Sequence, residues 1–207
     1  MLTIWGRTSS VNVQKVLWCL GELGVPYVRE DAGLAYGRNR EPWFLELNPN
    51  GRVPLLVDGD FSLWESNTIV RYLAAKHDYG GLYPASPEVR AHAERWMDWQ
   101  LSTIARPLGI VHQALVRTPP AERDMAAVAA AAAEVGAAFA LLDRHLERHE
   151  YVAGDRFTIG DIPVGACAYR WLAHEGIARP PVPAIERWQR ALAARPAFRA
   201  HVMLPLA

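Results

Sequence analysis

The first eighty residues alternate between short apolar runs and one-sided helical patterns, and this alternation constrains the fold more than any other feature. Residues 2–5 form an apolar run typical of a buried strand, and residues 11–23 place apolar side chains at the spacing of one helix face. Gly24 predicts the end of that helix, and Pro26 begins a second run with strand character. The pattern therefore predicts a β-α-β unit.

A second unit follows a loop rich in Gly and Arg. A short helix is predicted at residues 42–47. The two apolar runs on either side of Asp58-Gly59 predict a β-hairpin, because Gly tolerates the positive φ of a tight turn. Ile69 and Leu73 then recur at helical spacing. The expected order is β-α-β followed by β-β-α.

Beyond residue 80 only helical patterns remain. Residues 81–87 contain Gly and Pro, and we expect them to link an α/β domain at residues 1–80 to an all-α helical bundle at residues 88–207. A capping box at Thr158–Asp161 precedes one of the predicted helices. The predicted helices span residues 88–115, residues 121–149, the run from the capping box to Leu172, and residues 184–194, with the last one ending near Pro196.

Composition and charge exclude several classes of partner. The chain has 22 Lys plus Arg and 22 Asp plus Glu, so nothing in its charge indicates binding to nucleic acid or to an anionic membrane. The Ala-rich tract at residues 125–142 is interrupted by Glu134 and Gly136, which favours a packed helix of a soluble protein. No basic and apolar leader opens the chain, and Cys19 and Cys167 form no CxxC motif. We therefore expect a cytoplasmic location.

The loop before the first helix is a candidate anion site. Backbone N–H groups at a helix start lack partners within the helix, and the helix dipole favours negative charge there. Ser9, Ser10 and Asn12 add hydroxyl and amide donors that could stabilise a thiolate. Lowering a thiol pKa of about 8.5 by about two units requires about 2.7 kcal/mol. One or two charge-assisted hydrogen bonds supply that much. The alternative is that a serine here only caps the helix.

Two further junctions extend this candidate site. A cis Val53–Pro54 bond would leave the Val53 N–H and C=O free to pair with a bound peptide, although most X–Pro bonds are trans. Ser66 could bind a carboxylate and Glu65 an ammonium group; the alternative is a helix cap beside a solvated Glu. Together the three features could bind one extended tripeptide.

No metal site is predicted. His145 and His149 lie four residues apart on one predicted helix, but no third ligand accompanies them. The chain also lacks the glycine-rich phosphate loops and the GxSxG motif.

Four motifs stand in order along the chain: SSVNVQKVL, NPNGRVPLLVD, LWESNTIVRYL and YVAGDRFTIGDI. As a set they resemble the cytosolic glutathione transferase family over nearly the whole chain. The resemblance implies a thioredoxin-like N-terminal domain, an all-helical C-terminal domain and a homodimer. It also implies a detoxifying enzyme that conjugates glutathione, its co-substrate, to a small hydrophobic electrophile without any further cofactor.

The resemblance also implies roles for residues near the sulfur of glutathione. Ser9 is the best match to the serine that donates to the thiolate, and Ser10 is the second choice. Asn12 stands where nu-class bacterial members use an asparagine. No Tyr or Cys occupies this loop, which speaks against the alpha, mu, pi and omega patterns. Cys19, within an apolar run, is expected to be buried core.

The remaining implied roles concern the rest of glutathione and the second substrate. Val53, before a cis Pro54, would pair with the cysteinyl unit, while Glu65 and Ser66 would hold the γ-glutamyl end. The candidates for the basic residue that binds the glycine carboxylate are Arg38, Arg40 and Arg52. The candidates for the side chains of the electrophile pocket are Trp99, Arg106 and His112.

Two other functions stay open at this point. One is a nu-like glutathione-dependent disulfide reductase or peroxidase, which Asn12 favours. The other is a non-enzymatic interaction module with the same fold, against which the complete set of glutathione-site residues speaks.

Overall fold

The computed structural model describes residues 1–207, and its N-terminal part is built on a four-stranded sheet. Strands β1 (Leu2–Trp5), β2 (Val28–Glu30), β3 (Leu55–Asp58) and β4 (Phe61–Trp64) lie in the order β2-β1-β3-β4. β1 is parallel to β2, whereas β3 is antiparallel to both β1 and β4. This mixed sheet confirms the predicted β-α-β and β-β-α units.

Three helices accompany the sheet: α1 (Val11–Leu23), α2 (Pro42–Leu47) and α3 (Ser66–His77). Helix α1 is central, and its residues from Val13 to Leu20 are all buried. It ends at Gly24, whose φ of 63° lies in the left-handed region that glycine adopts most readily. Because α1 is fixed on all sides, the loop just before it is held firmly in place.

Six helices form the rest of the chain: α4 (Pro87–Trp99), α5 (Ala105–His112), α6 (Met125–Leu146), α7 (Asp161–Ala173), α8 (Pro183–Ala193) and α9 (Pro196–His201). Wide π-type turns at Gln100–Ile104 and Gln113–Arg117 interrupt the single helix predicted over residues 88–115. Helix α6 is long and apolar enough to cross a membrane, but its Phe139 and Leu142 are fully buried in the core of this fold.

The helix predicted at residues 184–194 ends before Pro196 as expected, but it is not the last helix, since a further short helix begins at Pro196. Proline is tolerated at the first helical position because its missing N–H would have no partner in the helix. Phe198 on α9 is buried against Trp18 of α1, with ring centroids 4.7 Å apart. Arg195 donates to both carboxylate oxygens of Glu22, at 2.9 and 2.6 Å. These contacts attach the end of the chain to α1.

The predicted capping box before α7 is present and carries a buried carboxylate. Asp161 Oδ2 accepts from the N–H and hydroxyl of Thr158, at 2.9 and 3.3 Å. Its Oδ1 accepts from the N–H of Val152 at 3.0 Å and from Trp188 Nε1 at 3.1 Å. The carboxylate thus connects the loop before α7 to α8 and fixes α7, the helix that carries two residues of the site described next.

Candidate functional site

A cleft of about 220 Å³ lies where the start of α1 faces the α5 and α7 helices. Ser10, Val11 and Asn12 form one wall. The opposite wall comes from the C-terminal helices and their wide turns, and consists of Gln100, Ala105, Leu108, Gly109, His112, Arg117, Cys167 and Arg170, with Arg7 completing the lining.

Ser10 is the residue immediately before α1, and its hydroxyl has no hydrogen-bond partner within the chain. Its carbonyl oxygen accepts from the N–H of Gln14 at 2.9 Å, so the three N–H groups between them are left without helical partners. These donors and the positive end of the helix dipole meet at the wall of the cleft. An anion bound here would be stabilised by all of them.

Ser9 and Asn12 occupy different positions relative to the cleft. Asn12 is exposed and lines it, whereas Ser9 does not. The carbonyl oxygen of Ser9 instead accepts from Arg170 Nη2 at 3.0 Å. The geometry therefore brings Ser10 and Asn12 together and leaves Ser9 behind them.

Val53 lies beside the first turn of α1, and its bond to Pro54 is cis. A Cβ added to Gly6 would come within 2.5 Å of Val13 Cγ2 and 3.2 Å of Val53 Cβ, so these residues are in close contact. Neither the N–H nor the C=O of Val53 takes part in a backbone hydrogen bond outside the regular elements. Both groups are thus free for an extended ligand beside Ser10.

Glu65 and Ser66 stand at the junction of β4 and α3. Glu65 has a φ of 71°, a conformation that costs free energy in a residue other than glycine and that recurs at ligand sites. Its side chain is exposed, while Ser66 is 3% exposed and its hydroxyl has no partner in the chain. The first N–H groups of α3 are likewise free of helical partners. This junction can bind a carboxylate and an ammonium group side by side.

A buried lysine connects this junction to the wall of the cleft. Lys15 Nζ donates to Gln100 Oε1 at 2.8 Å and to Asn67 Oδ1 at 3.4 Å. Asn67 in turn donates to the carbonyl oxygen of Met97 at 2.9 Å. Burial lowers the pKa of Lys15. The network fixes the start of α3 relative to both α1 and α4.

Arg38, Arg40 and Arg52 are all exposed and none lines the cleft. The Arg38 guanidinium lies 5.4 Å from the centroid of the Trp5 ring and 3.7 Å from Glu30 Oε2. The structure leaves the choice among the three open.

Of the three residues expected to bind a second substrate, only His112 lines the cleft. Trp99 is half-buried against Trp96, with ring centroids 5.0 Å apart. Arg106 is exposed and lines an adjoining, more open groove between α5 and α6, which shares Ala105 and Gly109 with the cleft. The structure therefore does not bring the three together.

Neither cysteine is a candidate nucleophile. Cys19 is fully buried, as expected, with its Sγ 3.9 Å from the carbonyl oxygen of Val70. Cys167 lines the cleft but is only 2% exposed. Burial raises the pKa of both thiols, so neither forms a thiolate readily at neutral pH.

Two family models together match most of the chain. The glutathione S-transferase N-terminal domain matches residues 1–75, and the glutathione S-transferase C-terminal domain matches residues 104–196. The chain belongs to the glutathione S-transferase family. The expected fold class, a thioredoxin-like α/β domain followed by an all-α domain, is thereby confirmed, as is the assignment to an enzyme family.

Individual relatives agree over the full length. Glutathione S-transferase GstB of Escherichia coli strain K12 is 47% identical over 208 residues, which cover 100% of both chains. Glutathione S-transferase 3 of Zea mays is 36% identical over 211 residues, covering 96% of this chain and 91% of the relative. The theta-class glutathione S-transferase of Xanthomonas axonopodis pv. citri, solved with glutathione bound, is 47% identical with a TM-score of 0.96, covering 100% of this chain and 99% of that one.

Three arginines of this transferase's cleft were missed from the sequence: Arg7, Arg117 and Arg170. Arg7 lies two residues after the end of β1 and precedes the candidate loop, so its position in the sequence was a usable signal. Arg117 and Arg170 belong to distant helical segments, and no local pattern distinguishes them from other arginines. Only the packing of α7 against α1 and α5 brings them to the site.

Proposed function

We propose that this protein binds glutathione along the groove from α3 to α1 and conjugates its sulfur to a small electrophile held in the cleft. The observation that carries the proposal is the unpartnered Ser10 hydroxyl at the start of α1, facing a cleft between the two halves of the chain. Relatives named glutathione S-transferases support the same activity.

The groove offers complementary groups for each part of glutathione. The γ-glutamyl carboxylate is bound by the Ser66 hydroxyl and the free N–H groups of α3, and the ammonium group by Glu65. The cysteinyl unit pairs with the free N–H and C=O of Val53. The glycine carboxylate lies toward the loop that carries the exposed Arg38, Arg40 and Arg52.

The sulfur then lies at the start of α1. The thiol releases its proton to solvent, and the thiolate accepts hydrogen bonds from Ser10, Asn12 and the free N–H groups of the helix. We propose Ser10 rather than Ser9 as the hydroxyl donor, because Ser10 lines the cleft. The thiolate attacks the electrophilic carbon, a carbon–sulfur bond forms, and the leaving group departs with its electron pair. Holding both reactants in one cleft makes this step effectively unimolecular.

A second reaction has specific support. Asn12 is exposed in the same cleft, which suits a nu-like enzyme whose glutathione thiolate attacks a disulfide or a peroxide. In the disulfide case a sulfur–sulfur bond to glutathione forms and the other sulfur leaves as a thiolate. The protein would need no cysteine of its own, in keeping with the burial of Cys19 and Cys167.

We further propose a boundary, an assembly and a location for this chain. The glutathione-binding domain spans residues 1–80, residues 81–87 are the linker, and residues 88–207 form the helical domain; α4 begins at Pro87, one residue inside that linker. Phe61 and Trp64 are exposed on edge strand β4, which supports a homodimer. Two free, buried cysteines support a cytoplasmic location.

The test of the proposed function combines calorimetry with three substrates. Glutathione should bind the folded protein, and Glu65→Ala should weaken that binding, whereas Glu46→Ala, an exposed charge on α2, should not. Turnover of a chloronitrobenzene, a hydroperoxide and a small mixed disulfide then separates conjugation from the nu-like reactions. A folded protein that does not bind glutathione would refute the proposal.

A further inference from the structure

The cleft beside Ser10 carries more positive charge than a site for neutral electrophiles requires. Arg7, Arg117 and Arg170 all line it, and no Asp or Glu does. None of the three takes part in a salt bridge.

Arg170 is buried and Arg7 and Arg117 are half-buried, and all three guanidinium groups have hydrogen-bonding atoms without a partner. Arg170 is 6% exposed, and its Nε has no partner, nor do the Nε atoms of Arg7 and Arg117. Buried cations are normally paired, because removing an unpaired charge from water is strongly unfavourable. Burial, with the repulsion of Arg117 and Arg7, lowers the pKa of Arg170 to about 10, which leaves it charged at neutral pH.

The neighbouring histidines do not balance this charge. His112 lines the cleft and packs against His174, with ring centroids 5.3 Å apart. Burial, together with the charge of Arg170, lowers the pKa of His112 to about 3 and that of His174 to about 4. Both rings are neutral at pH 7, and each has a ring nitrogen without a partner. The cleft therefore combines the cationic arginines with the neutral ring of His112.

The groups already in contact with the cluster use only part of its hydrogen-bonding capacity. Arg170 donates to the carbonyl oxygen of Ser9, a neutral acceptor. Arg117 Nη2 and His112 Nε2 each lie 3.3 Å from an oxygen of Ala207, so these two donors have an acceptor, whereas neither Arg7 nor Arg170 makes that contact. Most of the donor capacity facing the cleft is still free.

Building on the proposed function, we propose that the second substrate of this transferase is a small electrophile that carries a carboxylate, bound by Arg7, Arg117 and Arg170. The carboxylates of glutathione itself are assigned to the start of α3 and to the loop of residues 38–52, which do not line this cleft. The arginines stand around the proposed position of the sulfur. They would hold the carboxylate while the electrophilic carbon faces Ser10.

Binding of two matched glutathione conjugates tests this inference. A chloronitrobenzoate and the corresponding chloronitrobenzamide each react with glutathione; the sulfur bonds to the ring carbon and chloride leaves with the electron pair. The two conjugates differ only in a carboxylate against a neutral amide of similar size. Calorimetry measures each conjugate, and glutathione alone, with wild-type protein, Arg117→Gln, Arg7→Gln and Arg144→Gln. Arg144 is an exposed α6 residue without a hydrogen bond and serves as the control for overall charge.

The carboxylate conjugate should bind wild-type protein at least about tenfold more tightly than the amide conjugate, since charge-assisted bidentate contacts supply that much. This preference should fall by about tenfold in Arg117→Gln and be retained in Arg144→Gln. If glutathione binds but the two conjugates bind equally, or if the preference survives both Arg117→Gln and Arg7→Gln, the inference is wrong. If glutathione itself fails to bind, the proposed function fails first, and the inference falls with it.

Discussion

The hydroxyl of Ser10 offers the most direct test of how this transferase would activate a thiol. In Ser10→Ala the thiolate loses one donor, while the N-terminus of α1 and Asn12 stay in place. A hydrogen bond to a charged group contributes about 1.5–3 kcal/mol. Because 1.36 kcal/mol corresponds to one pKa unit, the bound thiol pKa should rise by about one to two units.

This pKa shift determines the ionised fraction of the bound thiol. If the wild-type complex lowers the thiol pKa by about two units from about 8.5, roughly three quarters of the bound thiol is ionised at pH 7. In Ser10→Ala the fraction should fall to between about 2% and 20%. The rate at neutral pH should fall by a similar factor, and it should recover as the pH is raised through the new pKa.

Ultraviolet absorbance of the thiolate, recorded against pH for the complex with glutathione, measures this shift directly. Ser9→Ala is the matched variant, because Ser9 is adjacent in sequence but lies outside the cleft. An unchanged titration curve for Ser10→Ala would refute the reasoning. A larger shift in Ser9→Ala or Asn12→Ala would move the role to that residue and show that the lining of the cleft does not identify the donor.

Three further predictions concern glutathione binding, stability and thiol reactivity. Glu65→Ala and Ser66→Ala should each weaken glutathione binding by about 1–3 kcal/mol, because a charged partner loses its mate; unchanged affinity in both variants, measured calorimetrically, would contradict the assignment. Asp161→Ala should lower the free energy of unfolding by about 3 kcal/mol or more, because it leaves several buried donors unpaired. Urea denaturation measures this change. A loss below about 1 kcal/mol would show that those donors find other partners. Cys19 and Cys167 should react with a disulfide reagent at the rate of unfolding, so fast labelling of the native protein would show that the core opens locally.

The order of elements was predictable because their sequence signals are local. The apolar face of α1 and the glycine at its end specify that helix without reference to the rest of the chain. The Asp58-Gly59 turn likewise specifies the hairpin of β3 and β4. Signals near the end of the chain were ambiguous, because a proline both stops one helix and opens the next. Pro196 does both, and only the burial of Phe198 against α1 shows that a further helix forms.

The part of the site that would bind glutathione was predictable from the sequence because its signals are also local. Ser10, Val53 and Glu65 each stand at the end of a strand or the start of a helix, where free backbone groups can be expected from the pattern alone. The family resemblance ranked Ser9 ahead of Ser10, whereas Ser10 is the one that lines the cleft. At the start of a helix, adjacent side chains point in different directions. The packing of α1 determines which of the two side chains faces the cleft.

The arginine cluster could not be predicted from the sequence, because it forms only when distant segments of the chain pack together. Each arginine of the cluster, read alone, is an ordinary surface residue, and the net charge of zero conceals any local excess. The excess arises only when α7 packs against α1 and α5, which brings Arg117 and Arg170 to the same cleft as Arg7, with no Asp or Glu in its lining. Such an arrangement destabilises the unliganded fold by repulsion, so an anion that fills the cleft should stabilise it. Specificity for the second substrate is therefore a property of the packed helices, whereas the site proposed for glutathione is specified by the first eighty residues.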